Sequence, residues 1–166
     1  VTEPESKPRE TLEEQVVLTH RKAVLIVAAL AVSVLLQFGL ALLILKRGTS
    51  GPQSDLRIPL YGVAAALAIA AIAVRRVMLL RSRLSGIAEK RGPLGILRHL
   101  FSVALLCAAL GEMVFLMGFM MTFFGGDQTD LIRMLVVAAV IVLSSYPRLT
   151  TWKQAVAYYS AVRHEV

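Results

Sequence analysis

The stretch Leu105–Phe124 reads LLCAALGEMVFLMGFMMTFF, and Glu112 places a carboxylic acid in the middle of it. An ionised acid at the centre of a membrane span costs about 3 kcal/mol on insertion scales. Two arrangements make that bearable. The group holds its proton at neutral pH, or it meets polar partners inside a helical bundle. A neutral acid that exchanges its proton is the chemistry of a proton carrier; a sealed one is a structural hydrogen-bond centre.

The partners available at such depth are few. Ser33, Gln37, Ser102, Thr122, Ser144 and Ser145 are the hydroxyls and amides within the apolar runs. Gln37 follows Ser33 by one helical turn, so the two share a face. A cluster of Glu112, Ser33 and Gln37 is therefore expected. No lysine or arginine lies deep enough to pair with Glu112, and Arg133 sits too near the outer face.

His20 and His99 are the other chemistry-bearing pair. Two facing imidazoles can ligate a haem; the alternative is a pair of interfacial histidines among basic residues. His164, near the end, carries no signal. Cys107 is the single cysteine and reads as a small core residue. No nucleophile elbow, metal-spaced set or phosphate-cradling glycine loop is present. An enzyme site has almost nothing to be built from, and the residues name no metal and no cofactor.

These residues sit in long apolar runs. The chain has 166 residues, is 57% hydrophobic and has a mean hydropathy of +0.69. The apolar residues fall into four blocks separated by charged segments, the pattern of a polytopic membrane protein. The net charge of +7 is carried mainly beside those blocks. It is explained by topology and lipid phosphates, with no nucleic-acid partner.

The expected spans are 23–45, 58–80, 100–124 and 131–146, the last stopped by Pro147. Each is close to the ~20 residues that cross a bilayer as a helix. The first is too long for a signal-peptide core and reads as a retained span. Residues 1–22 form a polar N-terminal segment: a mobile leader, then a helix capped by Thr11 with Glu14. Residues 147–166 form an interfacial helix, with Trp152, Tyr158 and Tyr159 suited to the headgroup layer. Asp55, Asp127 and Asp130 are expected to cap the second and fourth spans. Arg75, Arg76, Arg81, Arg83, Lys90, Arg91 and Arg98 between spans two and three mark the cytoplasmic side. Both termini are then cytoplasmic, in a bacterial inner membrane.

Residues 18–45 align without a gap on 97–124. His20 meets His99, Gly39 meets Gly118, and Ser33 falls opposite Glu112. QSDL at 53–56 matches QTDL at 128–131. The expected fold is all-α: an integral membrane four-helix bundle made of two duplicated hairpins in parallel repeat. Small residues should close the bundle, with Gly62, Ala66 and Ala70 on span two and Gly111 and Gly118 on span three. Phe115, Met113, Met117 and Met120 form the broad opposite face of span three.

The segment GEMVFLMGF, 111–119, resembles the ion-carrying helix of rotary ATPase proteolipid (c) subunits, in which a Glu precedes a Gly by six residues. The vacuolar-type members are duplicated hairpins with four spans. The resemblance implies an ion-binding role for Glu112 alone. It is partial, since span two is mainly alanine and the basic connection is long.

The residues together lead to a non-enzymatic membrane protein, a small accessory or structural subunit of a larger membrane complex. Its partners would be the lipid bilayer and other membrane subunits or further copies of itself. The alternative is a proteolipid-like proton-binding transport element using Glu112.

Overall fold

The computed structural model describes residues 11–48 and 56–162. The leader at 1–10, Asp55 and His164 lie outside them. The described residues are helical, without a strand. Helix α1 spans Leu12–Lys46. Its start is fixed by a reciprocal capping box: the Glu14 N–H donates to Thr11 Oγ1 and the Thr11 N–H to Glu14 Oε2. Its 35 residues extend about 52 Å, so the polar first turns stand clear of a 30 Å hydrocarbon layer.

Helix α2 spans Arg57–Met78 and ends at Leu79. Leu80 is extended, and α3 begins at Arg81 and continues to Met121. The expected span 58–80 thus ends as a helix two residues early, at Met78. The extended Leu80 assigns the 81–91 stretch to α3. Within α3 the chain bends at Gly92, whose φ of 66° and ψ of −169° lie in a region open essentially to glycine. Pro93 then opens the next helical segment, where a missing N–H costs nothing. The connection expected as a long loop is therefore a basic helix folded against a span.

A short turn at Thr122–Phe124 closes α3. Helix α4 spans Gln128–Ser145 and starts on a capping box between Asp127 and Asp130. It stops ahead of Pro147, and α5 spans Leu149–Val162. Four of the helices, α1 to α4, have the length and apolar composition of membrane spans. Their outward faces are oily: Leu25, Leu36, Ile58 and Leu143 are each at least 70% exposed. A face of that kind belongs against acyl chains rather than water, and the chain is an integral membrane protein.

Helix α3 is the centre, packing against α1, α2, α4 and α5, whereas α1 hardly touches α2. The basic end of the bundle holds the start of α1, the 81–91 segment and α5. There Val16, Ala23, Leu84, Ile96, Trp152 and Val156 form one core. Trp152 is 4% exposed and packs edge-on against His20. It anchors α5 to the bundle instead of resting among headgroups, because its large ring fills the space between α1 and α3. Tyr158 on α5 is exposed.

The small residues separate into two groups. Gly111 and Gly118 face α4, with Val142, Ile141 and Met134 directly over them. On α2 the inward residues are Ala64 and Ala71. Gly62 and Ala66 are exposed and Ala70 is only half-buried. No atom lies within 4 Å of where a Cβ on Gly62 would be. The expected packing strip of α2 thus points away from the chain's own helices. Its neighbouring positions are also alanine, so the inward face is chosen by Leu60, Tyr61 and Leu67, which pack on the core. Phe115 is fully buried, while Met113 and Met120 are exposed, so the broad face of α3 is divided between core and lipid.

Candidate functional site

Helices α1 and α3 run side by side in the same direction. Val16 and Ala23 meet Ile96 and Leu97 near one end, Val27 meets Ala108 further along, and Phe38 meets Phe115 beyond that, their ring centroids 6.4 Å apart. This register carries Ser33 to the level of Glu112. Ser33 Oγ donates to Glu112 Oε1 at 2.7 Å. Gln37 Nε2 lies 3.0 Å from Ser33 Oγ and 3.4 Å from Glu112 Oε1. One carboxyl oxygen therefore collects two donors from adjacent turns of α1.

All three side chains are half-buried, at a seam bordered by the exposed Val32, Leu36 and Met113. The acid is sheltered on one side by α1 and approachable from the oily outer face on the other. Gln37 Oε1 is buried and finds no donor among the described residues. A buried amide oxygen without a donor is destabilising by about 1–3 kcal/mol. Turned over, the amide would present its oxygen to Glu112 and could accept a carboxyl O–H, its nitrogen then taking the unpartnered place.

The two histidines serve helix ends. His99 Nε2 lies 2.9 Å from the Met78 carbonyl, where α2 stops. His20 Nε2 lies 3.0 Å from the Pro147 carbonyl, just past α4. A carbonyl only accepts, so Nε2 carries the proton in both rings. The first bond satisfies a carbonyl orphaned at the C-terminus of α2 and the second ties the link between α4 and α5 to α1, and they take up the nitrogens that a haem would need. Among the described residues, no three His, Cys, Asp or Glu side chains converge as a metal set. Cys107 is buried, its thiol directed at the Ala71 carbonyl 3.7 Å away.

A second polar group lies at the end of the bundle opposite His20 and His99. Asp130 is 2% exposed. Its carboxylate pairs with the Arg57 guanidinium, accepts from Tyr61 Oη at 2.6 Å and caps the Asp127 N–H at 3.2 Å. Arg133 approaches at 4.0 Å. The sequence leads one to expect only the capping role for Asp130, and the structure adds the Arg57 and Tyr61 bonds. Arg57 and Tyr61, one turn apart on one face of α2 and at the same end as Asp130, were the signal for the rest.

No protein-family model matches this chain, and comparison with curated proteins and with solved structures finds no match.

Proposed function

We propose that this chain is a non-enzymatic four-span membrane subunit that works inside a larger membrane assembly, with both termini on the cytoplasmic side of a bacterial inner membrane. The observation that carries the reading is the outward face of α2. Gly62 and Ala66 are exposed there, beside Ile58, Ile69 and Ile72. Small residues let another helix come close, which is how helices associate where lipid removes the hydrophobic drive. The orientation rests on the arginines and lysines between α2 and the second half of α3.

The halves of the chain are read as a duplicated hairpin. His20 on α1 reaches the end of α4, and His99 on α3 reaches the end of α2. That reciprocal exchange is expected of a two-fold relation along the bundle axis. The copies have since diverged, because α3 packs closely on α4 while α1 barely meets α2.

Purification in mild detergent with mass spectrometry of what accompanies the chain tests the assembly. An Ala66→Cys variant should crosslink to a different membrane protein. A chain recovered solely as a ring of itself would rule out the accessory role.

A second reading is favoured by one observation, the donorless Gln37 Oε1 beside Glu112. In it Glu112 binds and releases a proton, with Ser33 and Gln37 positioning the carboxyl, as the partial likeness to proteolipid subunits implies. A carbodiimide should then modify Glu112 rapidly at low pH and slowly at high pH, and Glu112→Gln should abolish labelling. Absence of modification at every pH would leave the acid as a sealed structural bond.

A further inference from the structure

The seam between α2 and α4 opens as it approaches the basic end. One hollow of about 480 Å³ is bordered by Arg75, Arg148 and Thr151 at its mouth and by Leu100, Val103 and Ala104 beneath. A second, of about 460 Å³, runs on along Ala71, Ile72, Val140 and Ile141. The two share Arg75, Leu79, Ser144 and Ser145, so they form one groove, cationic at the mouth and oily along its length. We propose that this groove binds one anionic phospholipid, its phosphate at Arg75 and Arg148 and an acyl chain along Ile72 and Val140.

Depth supports the assignment. Arg75 lies one turn before the end of α2 at Met78, and Arg148 lies just past the end of α4 at Ser145. Both are where the helices leave the oily layer, the level of a phosphate. Charge supports it too. The ion pairs among the described residues all involve Asp130 at the other end, and neither Arg75 nor Arg148 is in one. Two hydroxyls of the wall are already committed, since Ser144 Oγ and Ser145 Oγ both donate to the Ile141 carbonyl. The charge that recognises an anion is supplied by the arginines, with the Thr151 hydroxyl beside them at the mouth.

The same features choose between occupants. An apolar helix of another subunit laid in the groove would bury two guanidinium groups with nothing to neutralise them, a costly arrangement. Inorganic phosphate would neutralise them and leave Ile72 and Val140 uncovered. A phosphate joined to an acyl chain meets both demands.

The test uses the full chain in mild detergent, with native mass spectrometry and thermal unfolding in added phosphatidylglycerol, phosphatidylcholine of the same chains, or glycerophosphate. One phosphatidylglycerol should remain bound and raise the unfolding temperature more than phosphatidylcholine does. Arg75→Gln with Arg148→Gln should weaken phosphatidylglycerol about fivefold for each arginine removed, while Arg21→Gln, on α1 at the same end, should not. Val140→Trp should weaken both lipids equally by filling the acyl path. If the double variant does not fold, Arg148→Gln and Val140→Trp decide the matter, and an unchanged affinity in both overturns the proposal. Equal binding of the two lipids, an equal loss in Arg21→Gln, competition by glycerophosphate as strong as by the lipid, or a protein crosslinked at position 140 with no lipid retained would each overturn it as well.

Discussion

Replacing Asp130 by alanine should lower the stability of the bundle by about 2–3 kcal/mol, one of the two largest single-residue effects expected in this chain. The carboxylate is almost wholly enclosed, and three partners depend on it: the Arg57 guanidinium, the Tyr61 hydroxyl and the Asp127 N–H. Alanine leaves all three without an acceptor and removes the acidic N3 side chain of the α4 capping box. Loss of one partner from a fully buried ion pair costs about 3–5 kcal/mol. The figure here is smaller because Arg57 keeps a third of its side chain exposed and can turn to water or headgroups. Arg57→Gln should also be damaging, since it strands a buried charge. Tyr61→Phe removes one neutral donor and should cost about 1 kcal/mol. Thermal unfolding in mild detergent gives the order, with Asp130→Ala roughly 5–10 °C below the parent. A shift for Asp130→Ala no larger than that for Tyr61→Phe would show that the ion pair contributes nothing and that α2 and α4 are joined by apolar packing alone.

The contrast between this cluster and the Glu112 site explains what could be read from the sequence. Depth in a membrane helix is nearly a linear function of residue number, at 1.5 Å per residue. Few polar residues lie deep, so Ser33 and Gln37 could be named as neighbours of Glu112 once α1 and α3 were aligned. Near the ends of the spans this economy fails. Many polar residues share a level there, and the choice of partner depends on how each helix is rotated. Rotation was also the difficulty with α2. Its segment AAALAIAAIA offers small residues on every face, so the period of Gly62, Ala66 and Ala70 could not distinguish an inward strip from an outward one. The bend in α3 was hidden for a different reason. Gly92–Pro93 reads equally well as a loop or as a break between helices, and what decides is the packing of Leu84 and Ile87 against Val16 and Trp152. That contact joins distant parts of the chain, as does the one that buries Trp152.

Gly118→Leu is the other substitution expected to have a large effect, and its comparison with Gly62→Leu separates packing within the chain from packing between chains. A Cβ on Gly118 would lie 2.5 Å from Met134 Cβ and 2.8 Å from Met134 Cγ. No rotamer of Met134 relieves the first contact, and Met134→Ala does not either, because alanine keeps that Cβ. The backbones of α3 and α4 must move apart, and overpacking of this kind costs about 1–3 kcal/mol, occasionally more. The larger leucine side chain belongs at the upper end of that range. Separation of α3 from α4 also disturbs Gly111, where a Cβ would already lie 2.9 Å from Val142 Cγ2. At Gly62 the same substitution meets no atom of this chain within 4 Å, and leucine is the better helix former. The isolated Gly62→Leu chain should therefore unfold at or above the parent temperature, while its recovery with other membrane proteins in mild detergent falls severalfold. Gly118→Leu should do the reverse first, losing the fold before any question of partners arises. Were Gly62→Leu to retain every partner of the parent, the outward strip of α2 would be a face for lipid, and the assembly would have to form elsewhere on the bundle.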